Sequence, residues 1–444
     1  MSIYTKQDIL DLVAEEDVAF IRLQFTDIFG TLKNVAITPS QLSRALDGKF
    51  MFDGSAIEGF VRIEESDMFL VPDLDTFTIF PWRPQQGKVA RMICDVYRTD
   101  NTPYEGDPRH VLKLAREEAA RDGLELKVGP ECEFFLFEMD ENGHPTTTTD
   151  EQAGFFDTSP LDFGENARRD IVLTLEDMGF EVESSRHEAA PAQHEIDFRY
   201  GEALKAADNI QTFKLTVRTI ARQHGLHATF MPKPKPHCDG SGMHLNMSLH
   251  RDGRNIFDDP ASPDGLSDEA RWFIGGLMTH IRGMSAVLNP LVNSYKRLVS
   301  GYEAPVYISW SNGNRSPLIR VPFASDGGNR RLELRSPDSA ANPYLALALC
   351  LRAGLDGIRN QIEPPAPVGG NIYQLSPSRM RELGIGLLPG TLKEALDAMD
   401  ADPFVRETLG DHLYSKYREA KHREWADFCA EITSWEIKEY LNKY

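Results

Sequence analysis

The sequence predicts a mixed α and β fold in two units, a small strand-rich unit followed by a larger one. The 444 residues exceed the roughly 100–200 residues typical of a single domain. Turn-forming residues cluster near 99–107, which indicates a boundary. Beyond it, apolar patterns typical of strands and of helices alternate irregularly along the chain.

The elements of the first unit follow from apolar spacing. We expect a helix over 5–16 and strands over 18–25 and 88–97, where apolar residues recur at the required periods. Residues 66–86 hold many Pro, Phe and Asp residues. We interpret that segment as loops and edges.

The second unit begins with a helix that has clear end signals. Asp107 can cap it, Pro108 suits its first position, and Gly123 can end it. The stretch at 364–370 (PPAPVGG) is expected to be a loop. Further helices are predicted at 164–179, 203–224, 267–288, 342–361, 391–399 and through 411–443.

Composition and charge exclude several classes of protein. Acidic residues number 68 against 48 basic ones, a net charge of −20, which argues against nucleic acid and anionic membranes as partners. No apolar run approaches the roughly 20 residues of a membrane span. The acidic N-terminus does not resemble a signal peptide, and the five cysteines lack CxxC spacing. We therefore expect a cytoplasmic protein with reduced thiols and with Cys132 in its core.

Several short strands place polar residues on one face and apolar residues on the other. For a single strand, a solvated face is the ordinary explanation, but here the apolar back of each strand points the polar face towards a cleft. A further pair of glutamates flanks a Pro-containing turn. The residues concerned are Glu131 and Glu133; His244, Asn246 and Ser248; Arg331, Glu333 and Arg335; and the pair Glu188 and Glu195.

The chemistry of these faces favours metal-bridged phosphate chemistry. Crowded carboxylates need cations to stay ionised, and Glu-rich sets suit Mg²⁺ or Mn²⁺. Arginines on the same faces suit phosphate or carboxylate ligands. The sequence has no GxxxxGK[ST] phosphate loop, HExxH helix or GxSxG elbow, so any nucleotide site must be built differently.

Nine segments, in order along the chain, resemble bacterial type I glutamine synthetases. They are MFDGSAIEGF (51–60), GPECEFFLF (129–137), HEAAPAQHEID (187–197), ATFMPKP (228–234), DGSGMH (239–244), NSYKRL (293–298), GYEAP (301–305), NRSPLIR (314–320) and RLELRSPD…ANPYLAL (331–347). Singly some are weak, but together they are strongly specific.

The resemblance implies an α+β fold of the glutamine synthetase/guanido kinase type. It implies a small β-grasp-like domain over 1–103 and a larger catalytic domain over 104–444. Two stacked hexameric rings would form a dodecamer with active sites between neighbours. The implied reaction joins ammonia to L-glutamate at the expense of ATP through γ-glutamyl phosphate.

The resemblance also implies roles for individual residues. One Mg²⁺ or Mn²⁺ ion would be held by Glu133, Glu188 and Glu195, and a second by Glu131, His244 and Glu333. Glutamate would be bound by Asp239, Gly240, His244, Arg297, Glu303, Arg315 and Arg335. ATP would be bound by Glu183, Tyr200, Asn246, Ser248, Arg315, Arg320 and Arg331. The catalytic residues would be Asp53, Glu303 and Arg315. Asp53 would reach in from the adjacent subunit and bind ammonium. Glu303 would close over the site, and Arg315 would neutralise charge on the phosphoryl group.

Two departures from the family pattern lie close to these residues. Asp239 stands where the family usually has Asn, which adds a negative charge beside the glutamate site. Arg186 replaces a His before the HE pair. We expect neither change to touch a metal ligand.

The resemblance extends to regulation. The chain lacks the insertion of the adenylylated enzymes, and Arg62 resembles the glutamine-sensing arginine of the feedback-inhibited Gram-positive subgroup. Tyr373 lies where the other subgroup is modified, and we expect no modification here. In the feedback-inhibited subgroup, a nitrogen-responsive transcription regulator is a plausible partner.

Two alternatives compete with this interpretation. A related ligase would join glutamate to an amine or polyamine, although Asp53 and Glu303 favour a small cation site for ammonium. A non-catalytic scaffold is disfavoured because all six predicted metal positions are intact.

Overall fold

A computed structural model of the protein describes residues 3–57, 59, 66–83, 86–324, 329–370 and 372–444. Its helices are α1 Lys6–Glu15, α2 Pro39–Leu46, α3 Pro108–Arg121, α4 Glu165–Asp177, α5 Ala203–Gln223, α6 Asp268–Leu288, α7 Ser294–Arg297, α8 Pro343–Asn360, α9 Pro377–Glu382, α10 Leu392–Ala401, α11 Pro403–Leu409, α12 Asp411–Ala430 and α13 Ser434–Tyr440. Its strands are β1 Val18–Thr26, β2 Leu32–Ile37, β3 Phe50–Asp53, β4 Asp67–Ile79, β5 Lys88–Arg98, β6 Leu124–Glu138, β7 Val182–His187, β8 Gln193–Phe198, β9 Gly201–Glu202, β10 Leu226–Thr229, β11 Met243–Arg251, β12 Arg254–Asn255, β13 Tyr307–Ile308, β14 Trp310–Asn312, β15 Ile319–Val321, β16 Leu332–Leu334 and β17 Gly386–Leu387.

The N-terminal part forms one sheet of order β2-β1-β5-β4-β3. Strands β1 and β5 run parallel, and the other neighbours are antiparallel. Helix α1 is capped by Thr5, whose hydroxyl accepts from the N–H of Asp8 while the Asp8 carboxylate accepts from the N–H of Thr5. The predicted helix and both predicted strands of this unit are confirmed.

The interpretation of 66–86 as loops and edges is wrong for most of that segment, because 67–79 form β4. Strand β3 pairs with β4 only as far as Leu70, so the next residues of β4 have β5 as their one neighbour. Pro72 can therefore lack an N–H without costing the sheet a hydrogen bond. The register shifts between Asp73 and Thr78, which explains the irregular pattern in the sequence.

The larger part is built on a mixed sheet whose central order is β14-β15-β16-β11-β6-β8-β7. Helices α5, α6 and α8 carry buried apolar faces that share one hydrophobic core with this sheet. Helices α6 and α8 approach closely at two glycines. A Cβ on Gly276 would lie 2.0 Å from the carbonyl oxygen of Ala353, and one on Gly357 would lie 2.0 Å from that of Trp272. This α+β architecture confirms the predicted fold class, whereas the boundary at 103/104 stays a prediction.

The helix predicted through 411–443 is wrong as a single element. Helix α12 ends at Ala430, Glu431 is extended, and Thr433 starts α13 through a reciprocal cap with Glu436. The prediction also missed α11, which is capped by Asp402 and has Pro403 at its first position. The caps at Asp402 and Thr433 are signals carried by single residues, and the longer helical pattern of polar and apolar residues obscured them.

His280 joins the helices of the C-terminal half. Its Nδ1 lies 2.9 Å from a carboxylate oxygen of Asp402, and its Nε2 lies 3.1 Å from one of Asp356. Burial alone would lower the pKa of His280, but these two hydrogen bonds and charges outweigh burial and raise it.

Arg109 connects the N-terminal sheet to helix α5. Its guanidinium donates to Asp95 and Asp73 of the N-terminal sheet at 2.7 Å each and to Asp208 of α5 at 2.8 Å. The arginine side chain is 3% exposed, and Tyr344 of α8 donates to the same Asp208. This buried ion cluster, the Arg109 cluster, fixes the N-terminal sheet against the helices behind the larger sheet.

Two further expectations can be compared with the structure. All five cysteines are free, and Cys132 is buried in the core as predicted. Within the described residues, no helix combines the length and apolar character that a bilayer span requires.

Candidate functional site

The polar faces of three neighbouring strands meet near the middle of the larger sheet. In the register of β6 and β11, His244 stands opposite Glu131, and β16 brings Glu333 alongside β11. The His244 Nδ1 lies 3.3 Å from a Glu131 oxygen and 3.7 Å from a Glu333 oxygen. The three residues offer ligand atoms that all lie within 4.8 Å of one another.

The remaining predicted metal ligands lie on β6 itself, on its neighbour β8 and directly after β7. Glu133 stands opposite Glu195 of β8, and Glu188 directly follows β7, where its N–H donates to the carbonyl of Gln193 at 2.8 Å. The Glu133 Oε1 is 3.8 Å from the His244 Nε2. The structure thus brings all six predicted residues into one cluster, the six-residue cluster.

The electrostatics of the six-residue cluster suit a divalent cation. Burial raises the pKa of Glu133, and burial together with the charges of Asp197 and Glu133 raises that of Glu195 well above its usual range. Burial, followed by the charge of Arg335, lowers the pKa of His244 to about 4. Its Nε2 is buried and has no hydrogen-bond partner among the described residues. A neutral histidine with a free nitrogen among crowded carboxylates fits Mg²⁺ or Mn²⁺.

Two arginines donate hydrogen bonds to Glu333, which is fully buried. Arg320 donates to one of its oxygens at 2.7 Å, and Arg335 donates to the other. The structure therefore places Arg320, which was predicted to bind ATP, directly on a predicted metal ligand.

One cavity opens on the Glu131 side of the six-residue cluster. This Tyr200 cavity has a volume of about 540 Å³. In its wall, Asn246 donates to Glu131 at 2.8 Å and accepts from Arg331 at 3.0 Å. Its lining includes five of the predicted ATP-binding residues, namely Glu183, Tyr200, Asn246, Ser248 and Arg331.

A second cavity opens on the Arg335 side. This Glu303 cavity has a volume of about 700 Å³, and its lining includes Asp239, Glu303, Arg315, Arg335 and Tyr373. Because Glu131 lines the first cavity and Arg335, bonded to Glu333, lines the second, the six-residue cluster lies between the two.

The loop that carries Glu303 is held at three points. Asp239 accepts from the Glu303 N–H at 3.0 Å, Tyr373 donates to the Ala304 carbonyl at 3.1 Å, and the Lys233 ammonium lies 3.9 Å from the centre of the Tyr302 ring. The carboxylate of Asp239 acts here as a hydrogen-bond acceptor, a role that the oxygen of an Asn could also fill.

Three predicted residues lie elsewhere or cannot be placed. Arg297 is 2% exposed, beneath Gly240, and donates to the backbone carbonyls of Ser336 and Arg335. Asp53 ends the edge strand β3 on the N-terminal sheet, where it is exposed. It is not among the described residues that line the two cavities. Arg62 lies outside the described residues.

Comparisons with known proteins agree with this arrangement. The family model described as "Glutamine synthetase, catalytic domain" matches residues 105–440, and the one described as "Glutamine synthetase, beta-Grasp domain" matches residues 17–99. This chain belongs to the glutamine synthetase family. The matches establish it as an enzyme of that family with a β-grasp domain and a catalytic domain.

Relatives of this glutamine synthetase family member cover its full length. A glutamine synthetase of Clostridium saccharobutylicum is 61% identical over 444 residues, all of both chains. One of Staphylococcus aureus is 56% identical over 442 residues, 99% of each chain. The lengths of these relatives agree with the short type I subgroup.

Solved structures share the fold. A structure titled "GmaS/ADP complex-Conformation 1" has a TM-score of 0.89 at 33% identity and covers 98% of this chain and 99% of its own. A cryo-EM structure of Plasmodium falciparum glutamine synthetase also has a TM-score of 0.89, at 25% identity, and covers 99% of each chain.

Sequence reasoning missed polar residues that hold the glutamine synthetase site together. Gln193, 1% exposed, donates to Glu133 at 3.0 Å and contacts the Gly240 carbonyl at 3.1 Å. The Ser339 hydroxyl lies 2.9 Å from the Glu133 carbonyl. Asp197, two residues beyond Glu195 on β8, also lines the Tyr200 cavity. Its position, alternating with Glu195, was the one available signal in the sequence.

The expectation that Arg186 would not touch a metal ligand is wrong. Its guanidinium donates to Glu188 at 3.0 Å and also to Glu195, which are both predicted ligands. The register of β7 against β8 places Arg186 opposite Glu195. That register depends on the turn between the two strands and is not visible in either strand alone.

Proposed function

We propose that the protein joins ammonia to L-glutamate at the expense of ATP, giving L-glutamine, ADP and phosphate through γ-glutamyl phosphate. The observation that carries the proposal is the six-residue cluster between two cavities. A ligase of this kind must hold a nucleotide and an acceptor acid on opposite sides of one cationic centre, so that the phosphoryl group passes between them.

The six-residue cluster would hold two divalent ions. Glu133, Glu188 and Glu195 would bind one, and Glu131, His244 and Glu333 the other. When bound, these Mg²⁺ or Mn²⁺ ions would supply charge neutralisation for phosphate oxygens. Three protein ligands for each ion would leave open positions for water, phosphate and substrate.

The Tyr200 cavity would bind ATP. Tyr200 offers a ring face to the adenine, Ser248 and Asn246 offer hydrogen bonds, and Arg331 offers a positive charge to phosphate. Glu183 completes this wall. Arg320 would act from its place on Glu333, where it orients a metal ligand.

The Glu303 cavity would bind glutamate. Arg335 and Arg315 supply positive charge in its wall, where the side-chain carboxylate accepts the γ-phosphoryl group. Arg297 would reach the α-carboxylate from beneath Gly240, with Asp239 and Gly240 shaping this end. Glu303, on its tethered loop, would exclude water that otherwise hydrolyses the acyl phosphate.

The ammonium site would be completed by a residue of a neighbouring subunit. Asp53 is exposed at the edge of the N-terminal sheet, where it is accessible to a neighbouring subunit. We place it in the site of the adjacent subunit, where its carboxylate binds ammonium and helps remove a proton. Two stacked hexameric rings would give each catalytic domain such a neighbour, and the domains would divide at 103/104.

Location and regulation complete the proposal. An acidic chain with free thiols and with ATP and glutamate as substrates suits the cytoplasm. Product inhibition would act through Arg62, and a nitrogen-responsive transcription regulator would bind the inhibited enzyme. These two features rest on the family resemblance.

A phosphate-release assay tests the reaction. Purified enzyme with Mg²⁺ and ATP should release phosphate only when glutamate and ammonium are both present, with one glutamine formed per phosphate. Methylamine, ethylamine and putrescine replace ammonium in parallel reactions. Faster turnover with any of these amines would favour the amine ligase, and no phosphate release under any condition would refute ligase activity.

A further inference from the structure

Arg186 is a cation built into the six-residue cluster. Its Nε donates to Glu188 Oε1 at 3.0 Å, and its Nη2 donates to Glu195 Oε1. Its Nη1 donates to Asp197 at 2.6 Å and to Ser184 at 2.8 Å. One guanidinium thus joins three carboxylates, two of which are assigned above as ligands of the same ion.

The surroundings of Arg186 hold it in this position. Its side chain is 22% exposed, and it lies on β7 opposite Glu195. Both Ser184 and Asp197 line the Tyr200 cavity. The guanidinium therefore contacts two side chains of that cavity's wall as well as two carboxylates of the six-residue cluster.

A guanidinium in this position competes with a divalent ion. It stays protonated throughout the accessible pH range, and it occupies the Oε1 atoms of Glu188 and Glu195. An ion must use the remaining oxygens of these side chains while a positive charge stands a few ångströms away. Repulsion between like charges is large where water is excluded, and it doubles for an ion of charge +2.

We propose that Arg186 is a resident cation that weakens divalent-ion binding at Glu133, Glu188 and Glu195, so that this ion dissociates readily. The inference rests on the proposed function for its assignment of Glu188 and Glu195 as metal ligands. Arg186 also orients these carboxylates, and orientation alone would make the ion bind more tightly. The two effects have opposite signs, so an affinity measurement separates them.

The test is Mn²⁺ binding to the chelator-stripped, assembled enzyme without ATP or glutamate. Free Mn²⁺ is followed by electron paramagnetic resonance, and assembly is checked by light scattering. Arg186→Gln should lower the dissociation constant of the weaker ion at least tenfold. Arg186→Lys, which keeps the charge, should stay within about threefold of wild type. Arg116→Gln removes a partly buried arginine paired with Glu202, neither of them part of the six-residue cluster, and should leave Mn²⁺ affinity unchanged.

The outcomes distinguish this inference from the proposed function. If wild type binds no Mn²⁺, the metal site itself is wrong. If wild type binds Mn²⁺ but Arg186→Gln binds it equally or less tightly, the resident-cation inference alone is overturned. Should Arg186→Gln fail to assemble, the lysine variant decides, because tenfold tighter binding there would show that the charge is not responsible.

Discussion

Gln193 offers a sharp test of how the six-residue cluster is positioned. Its side-chain NH₂ contacts Glu133 at 3.0 Å and the Gly240 carbonyl at 3.1 Å, and its oxygen accepts from the Ala190 N–H at 3.2 Å. Gln193→Met keeps the length of the side chain and removes all three contacts. The variant should bind Mn²⁺ more weakly, because Glu133 loses a donor that fixes its orientation.

The size of the effect follows from the number of donors. A hydrogen bond to a charged group contributes about 1.5–3 kcal/mol, which corresponds to about 10- to 150-fold in affinity. The Glu133 Oε2 also accepts from the Gly242 N–H at 2.8 Å, and that bond remains. We therefore expect Gln193→Met to lose Mn²⁺ affinity near the lower end of this range, about 10- to 30-fold.

A matched glutamine provides the control. Gln211, 3% exposed, contacts Thr26 and the Gly30 carbonyl and none of the residues of the six-residue cluster. Gln211→Met should lower the unfolding temperature but leave Mn²⁺ affinity unchanged. Mn²⁺ titration and glutamine formation are measured on both variants. Wild-type affinity in Gln193→Met would refute the argument that Glu133 is held as a ligand by this amide.

Three further predictions concern the neighbouring subunit, pH and product. Asp53→Ala and Glu333→Gln should each nearly abolish glutamine formation, and oligomers mixed from the two should regain activity; absence of rescue in mixed oligomers would exclude a shared site. The pKa of His280 is raised from its ordinary value of 6.5, so protonated His280 should stabilise the fold fully below pH 6.5, and this stabilisation should be lost as the pH rises through the raised pKa. The unfolding temperature of His280→Gln should lack this fall with pH, and an equal fall in the variant would contradict the assignment. Arg62→Ala should weaken glutamine inhibition at least tenfold while turnover stays within a few fold, as measured by inhibition constants, and an unchanged constant would remove Arg62 from the regulatory proposal.

The sequence predicted best where the signal was local and periodic. In β6, Cys132 and Phe134 are buried on one face as the period of two requires, and Glu131 and Glu133 share the other. The helices bounded by caps, such as α3 after Asp107, were equally clear. The α+β class follows from such elements without knowledge of how they pack.

The sequence predicted least where partners come together from separate strands. Nothing near Arg186 in sequence marks Asp197 as its partner, because the contact depends on the register of β7 and β8. The same holds for Gln193 and Gly240, which are 47 positions apart. The prediction missed β4 for a different reason. Pro72 counts against a strand unless it is known that this part of β4 pairs with a neighbouring strand on one side only.

The Arg109 cluster has a consequence for how the chain unfolds. Separating the N-terminal sheet from α5 would leave carboxylates of the cluster without the guanidinium that they share. Losing one partner of a buried ion pair costs about 3–5 kcal/mol. The two parts should therefore melt in a single cooperative transition. If Asp53 serves a neighbouring subunit as proposed, its position relative to its own catalytic domain depends on one arginine and the three aspartates that it joins.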